Sequence, residues 1–287
     1  MFNKKDKQPS LEETLSITME LEKPLEEDRL ESTKEYKIKV EKKKKKNKLL
    51  RNIILTILTI TVIGFIMFIS NEYSPQQNAL NALESDSKVN VVIDDNIKFT
   101  PVNVETTKGF ILYPGALVES ESYSPFAREI AEKGYEVIVV DTLLNLPILS
   151  SNKGEKIIEE NPHITDWVIG GHSLGGIVAS NIAGDSTAID GVVLLASYPM
   201  NEKLKEINMN TISIWGSKDG VINFDNLIES KEKLPQDTNY VEIEGGNHAQ
   251  FGDYGHQKGD NEALIDAQTQ LSITTSNVLT FLENIYN

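Results

Sequence analysis

Three patterns of apolar and polar residues follow one another along the chain. Up to about Asn52 the sequence is charge-rich, with no sustained apolar period. Ile53 to Ile69 then contains no charged residue and, with its flanks Leu49 and Ser70, is long enough to cross a bilayer as one helix. Beyond residue 89, short Val/Ile/Leu runs alternate with stretches of helical spacing. Gly109–Tyr113, Tyr135–Val140, Trp167–Ile169, Gly191–Ala196, Thr211–Gly216 and Tyr240–Glu244 read as strands, and Tyr123–Lys133, Gly176–Ala183, Asn226–Leu234 and Ser272–Tyr286 as helices. Continuous apolar runs of this length suit parallel strands covered on both faces. Their alternation with helices predicts an α/β class, a doubly wound and mostly parallel sheet. Only Ser197 to Asn210 separates the strand at Leu194 from that at Ile212, too little chain for a large lid.

The run Trp167-Val168-Ile169 leads into Gly171-His172-Ser173-Leu174-Gly175 and then into helical sequence. This is the pattern of a nucleophile elbow. A strand turning sharply into a helix strains its turn residue, and glycines two positions to either side let the arms approach. Ser173 is thereby presented alone, with the Leu174 amide at the helix start facing the place where an oxyanion would form. Two further residues complete a serine mechanism in the chain order Ser, Asp, His. Asp219 follows the strand Thr211–Gly216, and His248 follows Tyr240–Glu244. A serine hydroxyl is a poor nucleophile near neutrality, so His248 takes its proton while Asp219 fixes the imidazole tautomer. Of the four histidines, His163 reads as a solvated turn residue and His172 as a packing residue beneath the elbow. His256 is the competitor for the base. Ala116, in the loop Pro114-Gly115-Ala116, is the expected second oxyanion donor, because Pro114 has no amide hydrogen; a plain Pro-Gly turn is the alternative there.

With these segments in hand, the chain from about Gly109 to its C-terminus resembles the compact bacterial α/β-hydrolases of the fold-5 type. Leu112-Tyr113-Pro114-Gly115, Gly170 to Gly176 and Gly245-Gly246-Asn247-His248-Ala249-Gln250-Phe251-Gly252 carry the likeness. The resemblance implies a carboxylesterase-like serine hydrolase with Ser173, Asp219 and His248 as its triad. Pro114-Gly115 departs from the His-Gly that many relatives of the wider fold have at the oxyanion loop. A catalytically silent hydrolase fold serving as a binding or scaffolding module is the competing class, and an acyltransferase or peptidase would share the triad.

Charge divides the chain. Residues 1–52 hold 15 Lys+Arg against 11 Asp+Glu, leaving 13 against 32 for the rest. The cluster Lys42–Lys46, Lys48 and Arg51 ahead of the apolar run predicts a retained signal-anchor, with the N-terminus cytoplasmic and the hydrolase extracytoplasmic. A cleaved signal peptide is disfavoured by the long charged preamble. The basic run reads as a topology signal with attraction to anionic lipid heads, and no nucleic-acid-binding signature accompanies it. The resulting organisation is a charged, disordered segment 1–48, a transmembrane helix 49–70, a polar stalk 71–88 and a hydrolase domain 89–287. The chain has no cysteine, which excludes disulfides and a thiol nucleophile. No cofactor or metal is expected. The partners expected are a small acyl or ester substrate and, through Ile53–Ile69, the membrane. Leu117, Val118, Leu143, Leu144, Tyr198, Val221 and Ile222 are candidate pocket walls. A cap-free site predicts short or soluble acyl substrates, with Gly252–Asp260 as the one loop able to act as a small lid.

Overall fold

In this computed structural model, residues 11–69, 72–102 and 104–286 are described. By chain contacts they form two units, residues 1–68 and 69–287. The first is a single helix, α1 (Leu11–Ile69). Residues 11–48, expected to be disordered, are helical. Their Lys and Glu residues have straight side chains that lose little rotamer freedom in a helix, and pairs such as Glu35–Lys39 at 3.7 Å sit one turn apart. Residues 1–10 of that expected segment lie outside the described residues, as do Ser70 and Asn71. Among the described residues, one helix is long and apolar enough to cross a membrane; its most apolar window has a mean hydropathy of 2.2.

The second unit is an eight-stranded sheet with helices on both faces. Its strands are β1 (Val89–Ile93), β2 (Ile97–Pro101), β3 (Lys108–Tyr113), β4 (Glu136–Val139), β5 (Asp166–His172), β6 (Gly191–Leu195), β7 (Asn210–Gly216) and β8 (Asn239–Ile243). Their order is β1-β2-β4-β3-β5-β6-β7-β8. From β4 to β8 every pairing is parallel, whereas β1–β2 and β2–β4 are antiparallel. The helices are α2 (Gln77–Asn81), α3 (Ser124–Ala131), α4 (Lys153–Glu160), α5 (Leu174–Asp185), α6 (Lys203–Glu206), α7 (Phe224–Glu229) and α8 (Ala267–Tyr286).

The two-residue period of a strand explains why the apolar runs are continuous. Phe110, Leu112, Val137, Val139, Val193 and Leu195 pack with α3 and α8 through Phe126, Ile130, Phe281 and Leu282. Ile111, Tyr113, Ile138, Val192 and Leu194 turn to the other face, against Ile157 of α4 and Val178, Ala179 and Ile182 of α5. Each fully buried aliphatic side chain of this kind contributes about 1.5–3 kcal/mol. The parallel strands therefore end along one common edge. Only the four-residue α6 interrupts the connection from β6 to β7, so no cap covers that edge.

The segment expected as a stalk is part of this body. Tyr73 forms a bridge to Val118, and α2 caps its backbone on Asp253, whose Oδ2 accepts from Ala79 N at 2.7 Å. Arg128 of α3 holds the following turn through the Ala82 carbonyl and an ion pair with Asp86 at 3.1 Å. The polar sequence is spent on these tertiary hydrogen bonds.

Candidate active site

β5 runs up the middle of the sheet, and Ser173 follows it with φ 52° and ψ −121°, a conformation L-residues rarely adopt. The surrounding glycines show what the elbow requires. A Cβ on Gly171 would collide with the Gly175 carbonyl group, and one on Gly175 would collide with the Pro114 and Tyr113 carbonyl oxygens. Ser197, just after β6, donates from its Oγ to the Ser173 carbonyl at 2.7 Å and so holds the turn.

The residues expected as acid and base come from loops at the same edge. Asp219 and His248 are both buried, and His248 Nδ1 lies 2.7 Å from Asp219 Oδ2. The other carboxylate oxygen accepts from the amides of Val221 and Ile222, each at 2.8 Å. A carboxylate so oriented requires a proton on His248 Nδ1, which leaves Nε2 as a lone pair. That Nε2 is buried and has no partner among the described residues. Ser173 and His248 line one cleft of about 250 Å³ together with Leu174, Ile177, Ala196, Ser197, Tyr198, Val221, Ile222 and Asn223. Of the expected wall residues, Tyr198, Val221 and Ile222 line it; Leu117, Val118, Leu143 and Leu144 do not, Val118 being buried in the core beside α3 instead. His256 is exposed and His163 sits beside Glu136, 3.6 Å from its carboxylate.

Asp260 ties the Asp219 and His248 loops together. Its Oδ1 accepts from Gly220 N, and its Oδ2 from Ala249 N, both at 2.8 Å. One carboxylate thus braces the residue after Asp219 and the residue after His248. Nothing in the sequence around Asp260, an acidic residue in a Gly-rich loop, distinguishes it from a solvated one.

The oxyanion side is organised by a buried hydrogen-bond chain. Gly115 N donates to the Tyr123 hydroxyl at 2.9 Å, and that hydroxyl lies 2.8 Å from His172 Nδ1. Burial raises Tyr123 above the ordinary phenol range, so it keeps its proton and donates to His172. Gly115 is therefore engaged, whereas the Ala116 amide makes no hydrogen bond among the described residues. The Leu174 amide, first in α5, has no acceptor within the helix by position.

The His172 ring lies 4.5 Å from that of His248, centroid to centroid. Burial holds its imidazole well below the ordinary range, and the neighbouring His248 acts in the same direction. The native state keeps His172 neutral, while the unfolded chain protonates it below about pH 6.5. The stability this provides is complete above that pH and declines as pH falls toward the native value, since the unfolded chain then binds the extra proton. Thermal unfolding between about pH 7.5 and 5.5 should show wild type losing up to ~1.4 kcal/mol per pH unit more than His172→Gln. Parallel curves would contradict this.

A doubly wound sheet with a strained serine between its central strand and the next helix defines an α/β-hydrolase fold. Residues 109–272 match the model of the Alpha/beta hydrolase family, and the chain belongs to that family. No curated protein matches it. Among solved structures, it is similar to a predicted CIB-like hydrolase from Thermoplasma acidophilum, at 16% identity and a TM-score of 0.50, over 66% of this chain and 97% of that one. It is also similar to the esterase domain of a Rhodothermus marinus protein, at 10% identity and a TM-score of 0.51, over 67% and 96% of the respective chains. At these identities the likeness concerns the fold. Among the described residues, no cluster of His, Cys, Asp or Glu is suited to a metal ion.

Proposed function

We propose that this chain is a serine hydrolase that cleaves an ester or related acyl bond. The observation that carries this reading is the buried Asp219–His248 pair, whose free Nε2 shares a cleft with Ser173. Ser173 Oγ attacks the acyl carbon and its proton passes to His248 Nε2. The developing oxyanion is met by the amides of Leu174 and Ala116. His248 then protonates the departing alcohol, and an ester links the acyl group to Ser173. Water, deprotonated by His248, attacks that ester and releases the acid. A fluorophosphonate probe tests the reading directly. The folded protein should be labelled at Ser173 alone; absence of labelling would favour a silent binding module.

We further propose that α1 anchors the enzyme in the cell membrane with residues 11–48 in the cytoplasm and the hydrolase outside. The support is the lysine cluster of α1 ahead of its charge-free segment Ile53–Ile69. Protease added to intact cells should digest the hydrolase body and spare the segment before Lys42. Protection of the hydrolase would reverse this orientation.

A further inference from the structure

From Pro114 to Val118 the loop after β3 has four backbone amides to place, since Pro114 carries none. Gly115 N donates to the Tyr123 hydroxyl at 2.9 Å, Leu117 N to the Asn145 carbonyl at 2.6 Å and Val118 N to the Gly115 carbonyl at 3.4 Å. Ala116 N alone of the four makes no hydrogen bond among the described residues. It is thus free to bind while the amides on both sides of it are held. The Leu117 carbonyl is held as well, accepting from Tyr73 N at 2.7 Å. The loop lies against the first turn of α5, where a Cβ on Gly175 would strike the Tyr113 and Pro114 carbonyl oxygens.

The two clamps differ in kind. On the Leu117 side the holder is backbone, and both partners are strained: Leu117 and Asn145 have φ of 61° and 52°, in the left-handed region that residues other than glycine rarely adopt. On the Gly115 side the holder is a side chain. Tyr123 is fully buried at the N-cap of α3. One lone pair of its hydroxyl takes the Gly115 amide, so its single proton goes to His172 Nδ1 at 2.8 Å. Donating that proton makes the oxygen a stronger acceptor for Gly115. The fit is close, since a Cβ on Gly115 would stand 2.9 Å from His172 Nδ1 and 3.1 Å from the Tyr123 hydroxyl oxygen. Tyr123 does not line the Ser173 cleft, so whatever it does for the reaction passes through the loop.

We propose that Tyr123, oriented by His172, is a positioning residue for catalysis: by holding the Gly115 amide it fixes the neighbouring Ala116 amide as the donor that meets the oxyanion. The inference rests on the serine-hydrolase reading. Its effect belongs to the transition state, because the donor meets a charge that the substrate carbonyl does not yet carry. Without the hydroxyl the buried Gly115 amide has no acceptor, and the loop shifts to satisfy it, carrying Ala116 N away from its place.

The test compares Tyr123→Phe with wild type as full chains in detergent micelles, using p-nitrophenyl acetate as substrate and trifluoroacetophenone, to which a serine adds as a tetrahedral oxyanion. In the variant kcat should fall about 30-fold, short of the roughly 10²–10³-fold that losing a whole donor costs, with KM within about twofold of wild type. Affinity for the ketone should fall by the same factor as kcat/KM. Wild-type kcat, or a lower kcat with undiminished ketone affinity, would overturn the proposal. So would a rise in KM as large as the fall in kcat, the mark of general damage to the cleft. If Tyr123→Phe does not fold, the wild-type chain decides the matter through its amide resonances, with alanine and glycine labelled by ¹⁵N. Ketone addition should move the Ala116 amide proton downfield and leave that of Gly115 in place; movement of Gly115 instead would refute the clamp. Failure of the wild-type chain both to cleave the acetate and to bind the ketone would remove the serine-hydrolase reading, and the inference with it.

Discussion

Ser173→Ala is expected to lower kcat for ester hydrolysis by about 10⁴-fold or more, with KM and thermal stability little changed. The hydroxyl is the only atom lost. The turn itself is held by the Ser197 hydrogen bond to the residue 173 carbonyl and by the close approach of Gly171 and Gly175, none of which involves the serine side chain. What remains in the variant is the cleft, the imidazole and the two amides, enough for substrate binding but not for an acyl-enzyme. Steady-state kinetics with a soluble ester, alongside thermal unfolding, measures both halves of the expectation. Retention of most activity would show that bond cleavage does not pass through Ser173.

Asp219→Asn should cost about 10⁴-fold in kcat while leaving the backbone in place. The carboxylate accepts three hydrogen bonds, from Val221 N, Ile222 N and His248 Nδ1. An amide in its place has one oxygen and one NH₂. If the oxygen stays on the backbone amides, the NH₂ faces Nδ1 and selects the tautomer whose Nε2 carries the proton. The base then presents a donor to Ser173 where an acceptor is needed. His256→Ala serves as the companion measurement: its ring is exposed and it is His248, not His256, that bonds Asp219, so activity should stay within about twofold of wild type. Loss of activity in His256→Ala with a normal Asp219→Asn rate would assign the base to the other loop.

The parallel strands were legible because burial on both faces leaves unbroken Val/Ile/Leu runs, as at Phe110–Tyr113 and Val192–Leu195. The hairpin of β1 and β2 was not. Val89–Ile93 alternates one buried residue with exposed ones, and Val92 and Ile93 face solvent, so its pattern is that of an edge. Short helices such as α2 and α6 owe their existence to tertiary contacts, Ala79 N to Asp253 and Leu204 to the core, which local sequence does not encode. At the site, the residue types and their order along the chain drew attention to Ser173, Asp219 and His248, since each follows directly from a strand end. The supporting groups were hidden. Ser197 acts through one hydrogen bond, and Tyr123 and Asp260 through two each, to backbone or ring atoms of residues up to 24, 49 and 40 positions away. A lone polar residue in a loop carries no periodicity by which to recognise such a partner.

The brace formed by Asp260 has a consequence for how this protein loses function on warming. Loop 252–266 has no strand or helix of its own, and its Asp260 side chain alone holds both the residue after Asp219 and the residue after His248, with Asn261 O and Ile265 O adding contacts to the His248 loop. Opening of that loop would free Gly220 and Ala249 together and displace the Asp219 and His248 loops while the sheet stays intact. Inactivation is then governed by the free energy of a sub-global opening, smaller than that of global unfolding. The amide hydrogens of Gly220 and Ala249, both bonded to Asp260, are accordingly expected to exchange together, ahead of those in the central strands.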